Sequence, residues 1–166
     1  MFLLRILVVA LIPANVFGET GKRDATVLLE VDVLNLDGQA NASVHFTLDD
    51  LRAMPAVSFE TGTFRYSGPQ HFKGLSLVEH MGQMGVTDGT LMALGRDRSF
   101  IFDHKSLTTK SETIIAYERI GSIISVRSNG SLQVVYPFDK YPPLRKDVLF
   151  FNAVSQLIRI VVKPER

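Results

Sequence analysis

The sequence predicts a single α+β domain that contains more strand than helix. The chain has 166 residues, of which 46% are hydrophobic and 21% charged, so it can bury the core of one ordinary globular domain. Short segments with apolar residues at every second position alternate with two short segments of helical periodicity. Turn residues separate these segments, and no repeat, low-complexity tract or internal linker divides the domain.

The first predicted elements are two strands and a short helix. The segment TVLLEVDVLN places Val27, Leu29, Val31 and Val33 on one face, which is the pattern of a half-buried strand. A turn at Asp37-Gly38 leads to a second strand, ASVHF. The segment TLDDLRAM then begins a helix, because its threonine and its second aspartate have the spacing of a capping box.

A second helix is predicted in GLSLVEHMGQMG. Ser76 and Glu79 have capping-box spacing, apolar side chains recur on one helical face, and Gly85 ends the helix. The remaining predicted strands are AVSFET, TLMALG, SFIF, ETIIAYERI, SIISV, LQVVYP and QLIRIVV.

Residues 1–18 have the pattern of a secretory signal peptide. Arg5 supplies a positive charge, and the apolar run ILVVALI that follows is too short to span a bilayer. Val16-Phe17-Gly18 provides small residues for cleavage, so we expect the mature protein to begin at Glu19. An uncleaved N-terminal anchor is the alternative interpretation.

Cleavage at that site divides the chain into three parts and predicts an exported protein. Residues 1–18 are the signal peptide, residues 19–25 a polar linker and residues 26–166 the folded domain. The full chain carries 18 Lys and Arg and 17 Asp and Glu, and the loss of Arg5 would leave 17 of each. We therefore expect a soluble periplasmic protein that neither inserts into the membrane nor binds nucleic acid, since no basic stripe is present.

The absence of cysteine excludes several kinds of chemistry. Disulfides, cysteine-ligated metals and thiol catalysis all require a residue that this chain lacks. No nucleotide-binding glycine motif and no hydrolase nucleophile motif occurs. The four histidines are far apart in the sequence, and none forms a pair with the spacing of metal ligands.

Two segments concentrate polar and aromatic side chains. In FETGTFRYSG, Phe64 can stack on a flat heterocycle, Thr61 and Thr63 can hydrogen-bond its edge, and Arg65 adds a guanidinium group. In RSNGSL, a glycine permits close backbone approach, and Arg127 can pair with an anionic or carbonyl group. A strand–loop junction and a hairpin turn are the alternative interpretations.

Several of these segments, in order along the chain, resemble the oxidoreductase molybdopterin-binding domain of the sulfite oxidase family. They are FTLDDLRAMPAVSFETGTF, FKGLSLVEHMGQMG, VRSNGSLQVVYPFD and VSQLIRIVV. The chain resembles in particular the short, exported branch, and the resemblance covers nearly all of the mature chain. It implies a mixed β-sheet with short helices. It also implies a pterin site formed by Thr61, Thr63, Phe64, Arg65, Arg127, Gly130, Ser131, Leu132 and Tyr136.

The chain departs from this family at two places. In the larger enzymes the strand equivalent to VSFET leads to the cysteine that ligates molybdenum, whereas this chain has a residue near Thr61 at that place. A threonine hydroxyl is a poor replacement for a soft thiolate ligand. The short branch also has tryptophan at the places that Gln133 and Ser155 occupy here.

The resemblance and these departures together predict a pterin-binding protein without molybdenum. We expect it to sense a pterin in the periplasm and to regulate an inner-membrane signalling protein, either a cyclic-dinucleotide enzyme or a histidine kinase, through its periplasmic domain. Two alternatives stay open. One is a molybdopterin-dependent oxidoreductase with a non-cysteine metal site, and the other is an interaction module that has the fold and no ligand.

Overall fold

The computed structural model describes residues 26–96, 99–103, 112–124, 132–142 and 154–164. The described strands are β1 (Val27–Leu34), β2 (Ala40–Thr47), β3 (Val57–Thr63), β4 (Tyr66–Ser76), β5 (Thr90–Gly95), β6 (Ser99–Asp103), β7 (Ile114–Arg119), β8 (Ser122–Ile123), β9 (Gln133–Val135) and β10 (Leu157–Lys163). The described helices are α1 (Leu48–Ala53) and α2 (Leu77–Gln83). The signal peptide and linker predicted for residues 1–25 lie outside the described residues.

Strands dominate the molecule, so the predicted α+β class is correct only in part. The two helices have six and seven residues. Helices of this length are marginal in isolation and depend on packing against other elements. Within the described ranges, no helix is long and apolar enough to cross a membrane.

The first sheet is mixed, as the resemblance implied. Its strand order is β2-β1-β10-β5-β6. The pairing of β1 with β10 is parallel, and the other pairings are antiparallel. The last strand of the chain therefore occupies the centre of this sheet.

The structure also has a second sheet, whereas a single mixed sheet was predicted. Its order is β3-β4-β7-β8, with β9 also paired to β7, and all of its pairings are antiparallel. The main hydrophobic core takes side chains from both sheets, for example Val31 and Ile160 from the first and Leu75 and Ile115 from the second. The apolar faces of two separate sheets thus cover each other.

The second sheet also buries side chains on its opposite face. A smaller cluster there contains Phe72, Ile114, Ala116 and Val135, with Tyr66 packed against it. Because β9 alternates, Val134 joins the main core while Val135 joins the smaller cluster. This outer face carries the candidate site described below.

The capping residues that the sequence indicated are present. The Thr47 side chain accepts a hydrogen bond from the backbone N–H of Asp50, and the Asp50 carboxylate accepts one from the backbone N–H of Thr47. The Ser76 hydroxyl caps α2 by accepting from Glu79 N–H. Gly85 follows α2 with a φ of 77°, a left-handed conformation that favours glycine.

The burial pattern of β1 differs from the prediction at its first residue. Leu29 and Val31 are fully buried, but Val27 is 51% exposed. The pairing of β1 with β2 shifts between Val27 and Leu29. This irregularity interrupts the alternation, so that Val27 no longer shares the buried face.

Candidate ligand-binding site

A shallow depression lies on the outer face of the second sheet, where the β3–β4 turn meets β9 and the residues before β10. We call it the β3–β4 depression. Its lining consists of Thr63, Phe64, Arg65, Tyr66, Gln133, Val135, Val154 and Ser155. Its empty volume is about 240 Å³, open solvent included. This volume is not enclosed, so the described residues form a shallow surface depression rather than a closed pocket.

The β3–β4 turn presents an aromatic ring and a cation together. Thr63 pairs with Tyr66 across the hairpin, which leaves Phe64 and Arg65 at the turn. The Thr63 hydroxyl accepts a hydrogen bond from Arg65 N–H at 3.3 Å. The Phe64 side chain is 37% exposed, and the Arg65 guanidinium lies 5.3 Å from its ring centroid. The turn thus offers one partly exposed ring face and one positive charge to the depression.

Tyr66 connects the turn to the strands behind it. Its hydroxyl accepts a hydrogen bond from Gln133 Nε2 at 2.9 Å. The Arg119 guanidinium lies 4.1 Å from the Tyr66 ring centroid and donates to Gln70 Oε1 at 2.9 Å. A cation over an aromatic face is attracted by the ring quadrupole, so these contacts fix the position of the tyrosine ring.

Gln133 and Ser155 face each other across an antiparallel bridge. Gln133 is 4% exposed and pairs on its other side with Ala116 of β7. These are the two positions at which the chain departs from the tryptophans of the short branch. The structure places both of them in the lining of the β3–β4 depression.

Thr61, unlike Thr63, lies outside the lining of the depression. It is fully buried, and its hydroxyl accepts a hydrogen bond from Asp139 N–H at 3.2 Å. The Asp139 carboxylate accepts in turn from Gly62 N–H at 2.7 Å. The Thr61 side chain is therefore engaged within the protein and does not line the depression.

Leu132 and Tyr136 belong to the main core. Leu132 has no exposed surface, and the Tyr136 ring lies 5.5 Å from that of Phe138. Burial raises the pKa of the Tyr136 phenol above its ordinary value. In the structure, both residues are packed beside the candidate site rather than in its lining.

The structure brings together only some of the predicted site residues. Thr63, Phe64 and Arg65 come together in the depression. Arg127, Gly130 and Ser131 lie outside the described residues. Five lining residues are not among the predicted site residues, namely Tyr66, Gln133, Val135, Val154 and Ser155. Of these, Gln133 could have been identified from the sequence, because it is a polar residue within the apolar strand LQVVYP.

The depression combines aromatic, polar and cationic side chains. Its groups are aromatic rings, an amide, hydroxyls and one guanidinium, which stack on and hydrogen-bond to a planar polar molecule. Within the described part of the chain, no group of three or more His, Asp or Glu side chains could hold a metal ion. The full chain contains no cysteine, so it has no thiolate to ligate a metal.

Comparison with known proteins gives a structural likeness only. No family model and no curated protein matches the chain. Among solved structures, 29 chains match, and one is the sulfane dehydrogenase SoxCD from Paracoccus pantotrophus. The TM-score is 0.58 at 13% sequence identity, over 82% of this chain and 38% of that chain. An identity this low shows a shared fold alone, and the fold that it supports is sulfite oxidase-like.

Proposed function

We propose that this protein binds a pterin at the β3–β4 depression and that the bound pterin is sensed rather than used in catalysis. The observation that carries the proposal is the lining itself, which combines a partly exposed Phe64 ring, the Arg65 cation and the Gln133 amide. A flat heterocycle with a hydrogen-bonding edge matches this set of groups.

The second candidate is a molybdopterin-dependent oxidoreductase with a non-cysteine metal site. Its support is the fold that the chain shares with a sulfane dehydrogenase. The residues argue for binding, because the family's thiolate position falls near Thr61, whose hydroxyl already accepts from Asp139. A neutral hydroxyl is also a weak ligand for a metal that prefers thiolates.

Extraction of the native protein decides between these candidates. Protein purified from the periplasm should release a fluorescent pterin that mass spectrometry identifies, with no stoichiometric molybdenum by elemental analysis. Phe64→Ala should weaken pterin binding by about 0.5–1.5 kcal/mol through lost stacking. Leu36→Ala, which truncates an exposed side chain in the β1–β2 turn, serves as the control. Stoichiometric molybdenum would favour the enzyme, and an empty extract with no pterin binding would leave the interaction module.

We further propose that the pterin-bound protein acts in the periplasm on an inner-membrane signalling protein, a cyclic-dinucleotide enzyme or a histidine kinase. By linkage, a ligand that favours the partner-bound state must bind more tightly when the partner is present. The isolated periplasmic domain of a signalling protein encoded beside this one should capture it better with pterin than without. Equal capture under both conditions would indicate a constitutive subunit.

A further inference from the structure

Gln133 is a buried polar residue in an apolar strand. All three residues of β9 are buried, and the other two are valines. A buried amide whose polar atoms lack partners costs free energy relative to an apolar side chain of similar size. We therefore expect the polar atoms of Gln133, in the wall of the β3–β4 depression, to form hydrogen bonds.

The hydrogen bond to Tyr66 uses part of the capacity of this amide. A glutamine side chain has two N–H groups and one carbonyl oxygen. Nε2 donates one N–H to the Tyr66 hydroxyl at 2.9 Å. The second N–H and the carbonyl oxygen are the groups with which Gln133 can read a molecule in the depression that it lines.

Tyr66 holds the amide in a defined place. The tyrosine ring contacts Arg119, whose guanidinium lies 4.1 Å from its centroid, and Phe72, whose ring centroid lies 6.2 Å away. Ser155 lies opposite Gln133 in the backbone bridge and adds a hydroxyl to the same wall. A polar group on a rigid support discriminates between ligands, because it cannot move to suit a wrong one.

We propose that Gln133, positioned by Tyr66, selects ligands whose ring edge has an N–H next to a carbonyl. The amide N–H donates to the ring carbonyl, and the amide oxygen accepts from the ring N–H. The pyrimidinone ring of a pterin carries this edge. The inference rests on the proposed function for its ligand, but it assigns the selectivity to one residue.

The test compares the affinities of two probes, pterin and 2,4-diaminopteridine, which has an amino group in place of the ring carbonyl. The wild-type protein should prefer pterin by about tenfold or more, since the wrong edge leaves a buried polar group unpaired. Gln133→Leu should lose most of this preference. Gln133→Glu should also lose it, because a carboxylate cannot donate a hydrogen bond to the ring carbonyl.

Tyr66→Phe tests the positioning role separately. It retains the ring beneath Arg119 and removes the hydroxyl that accepts from Gln133. The preference for pterin should fall while the protein stays folded by circular dichroism. Gln83→Leu removes an exposed amide at the end of α2 and should leave the preference unchanged.

The outcomes separate the inference from the proposed function. Wild-type protein that binds pterin, with variants at Gln133 and Tyr66 that keep its full preference, would overturn the inference and leave the function standing. Equal wild-type affinity for both probes would do the same. Binding of neither probe would overturn the proposed function itself. If Gln133→Leu does not fold, Gln133→Glu and Tyr66→Phe carry the comparison.

Discussion

The hydroxyl of Thr61 and the backbone of Asp139 join two parts of the chain that lie 78 residues apart. Together with the bond from Gly62 N–H to the Asp139 carboxylate, this contact fastens the end of β3 to the segment that follows β9. Thr63, two residues further on, has the same side chain and lines the depression. Residues two apart share a face in a regular strand, but the pairing of β3 with β4 shifts between Gly62 and Thr63, so the two threonines have different surroundings.

His80 on α2 is the buried group that should make stability depend on pH. Its ring packs edge-on against Phe46 with centroids 5.0 Å apart, and neither ring nitrogen has a hydrogen-bond partner within the described residues. Burial lowers the pKa of His80 below its ordinary value of 6.5. As the pH falls, His80 therefore takes up a proton in the unfolded state before it does so in the folded state. The free energy of unfolding is unaffected by the titration of His80 above pH 6.5 and declines as the pH falls below that value.

Urea denaturation near neutral pH and at about pH 5.5 measures this effect. The midpoint should fall at the lower pH, and His80→Leu should reduce the fall. His71→Gln changes an exposed histidine on β4 and should leave the fall unchanged. An identical pH response in wild-type and His80→Leu proteins would show that other groups are responsible.

The contact between β4 and β7 depends on a glycine. A Cβ at Gly74 would lie 2.1 Å from the carbonyl oxygen of Ile115 and 2.6 Å from Ala116 Cα. Backbone atoms cannot yield to such an overlap without moving a strand of the second sheet. We expect Gly74→Ala to lower the free energy of unfolding by about 3 kcal/mol or more.

Gly82 of α2 is the matched control, because a Cβ there would meet nothing within 4 Å. Gly82→Ala should raise the free energy of unfolding by about 0.5–1 kcal/mol, since alanine loses less backbone entropy in a helix. Chemical denaturation of both variants measures the contrast. Similar effects of the two substitutions would contradict the close approach of β4 to β7.

The fold as a whole depends on its last strand. β10 lies between β1 and β5, and its Ile160 and Val162 are buried in the main core. A chain that ends at Gln156 would leave two strands of the first sheet without their shared neighbour. We expect this truncation to abolish cooperative thermal unfolding, whereas a chain that ends at Lys163 should melt like the full chain. A cooperative transition in the shorter protein would show that β10 is dispensable.

The sequence by itself determined the local elements. Alternating apolar residues indicated β1, capping residues placed the starts of α1 and α2, and a glycine marked the end of α2. These signals depend on residues only a few positions apart, so one sequence suffices to read them. The cluster of hydroxyl, aromatic and cationic side chains in FETGTFRYSG was likewise visible, but the strand β4 that begins at Tyr66 was not predicted.

The tertiary structure decided which elements meet. It placed β10 parallel to β1, with Glu30 hydrogen-bonded to Arg159 across 129 residues, and it divided the strands between two sheets. It also brought Gln133 to Tyr66 across 67 residues, which no local pattern indicates. Pairing of distant strands is set by how all apolar faces are covered at once, and that is a property of the assembled molecule rather than of any segment.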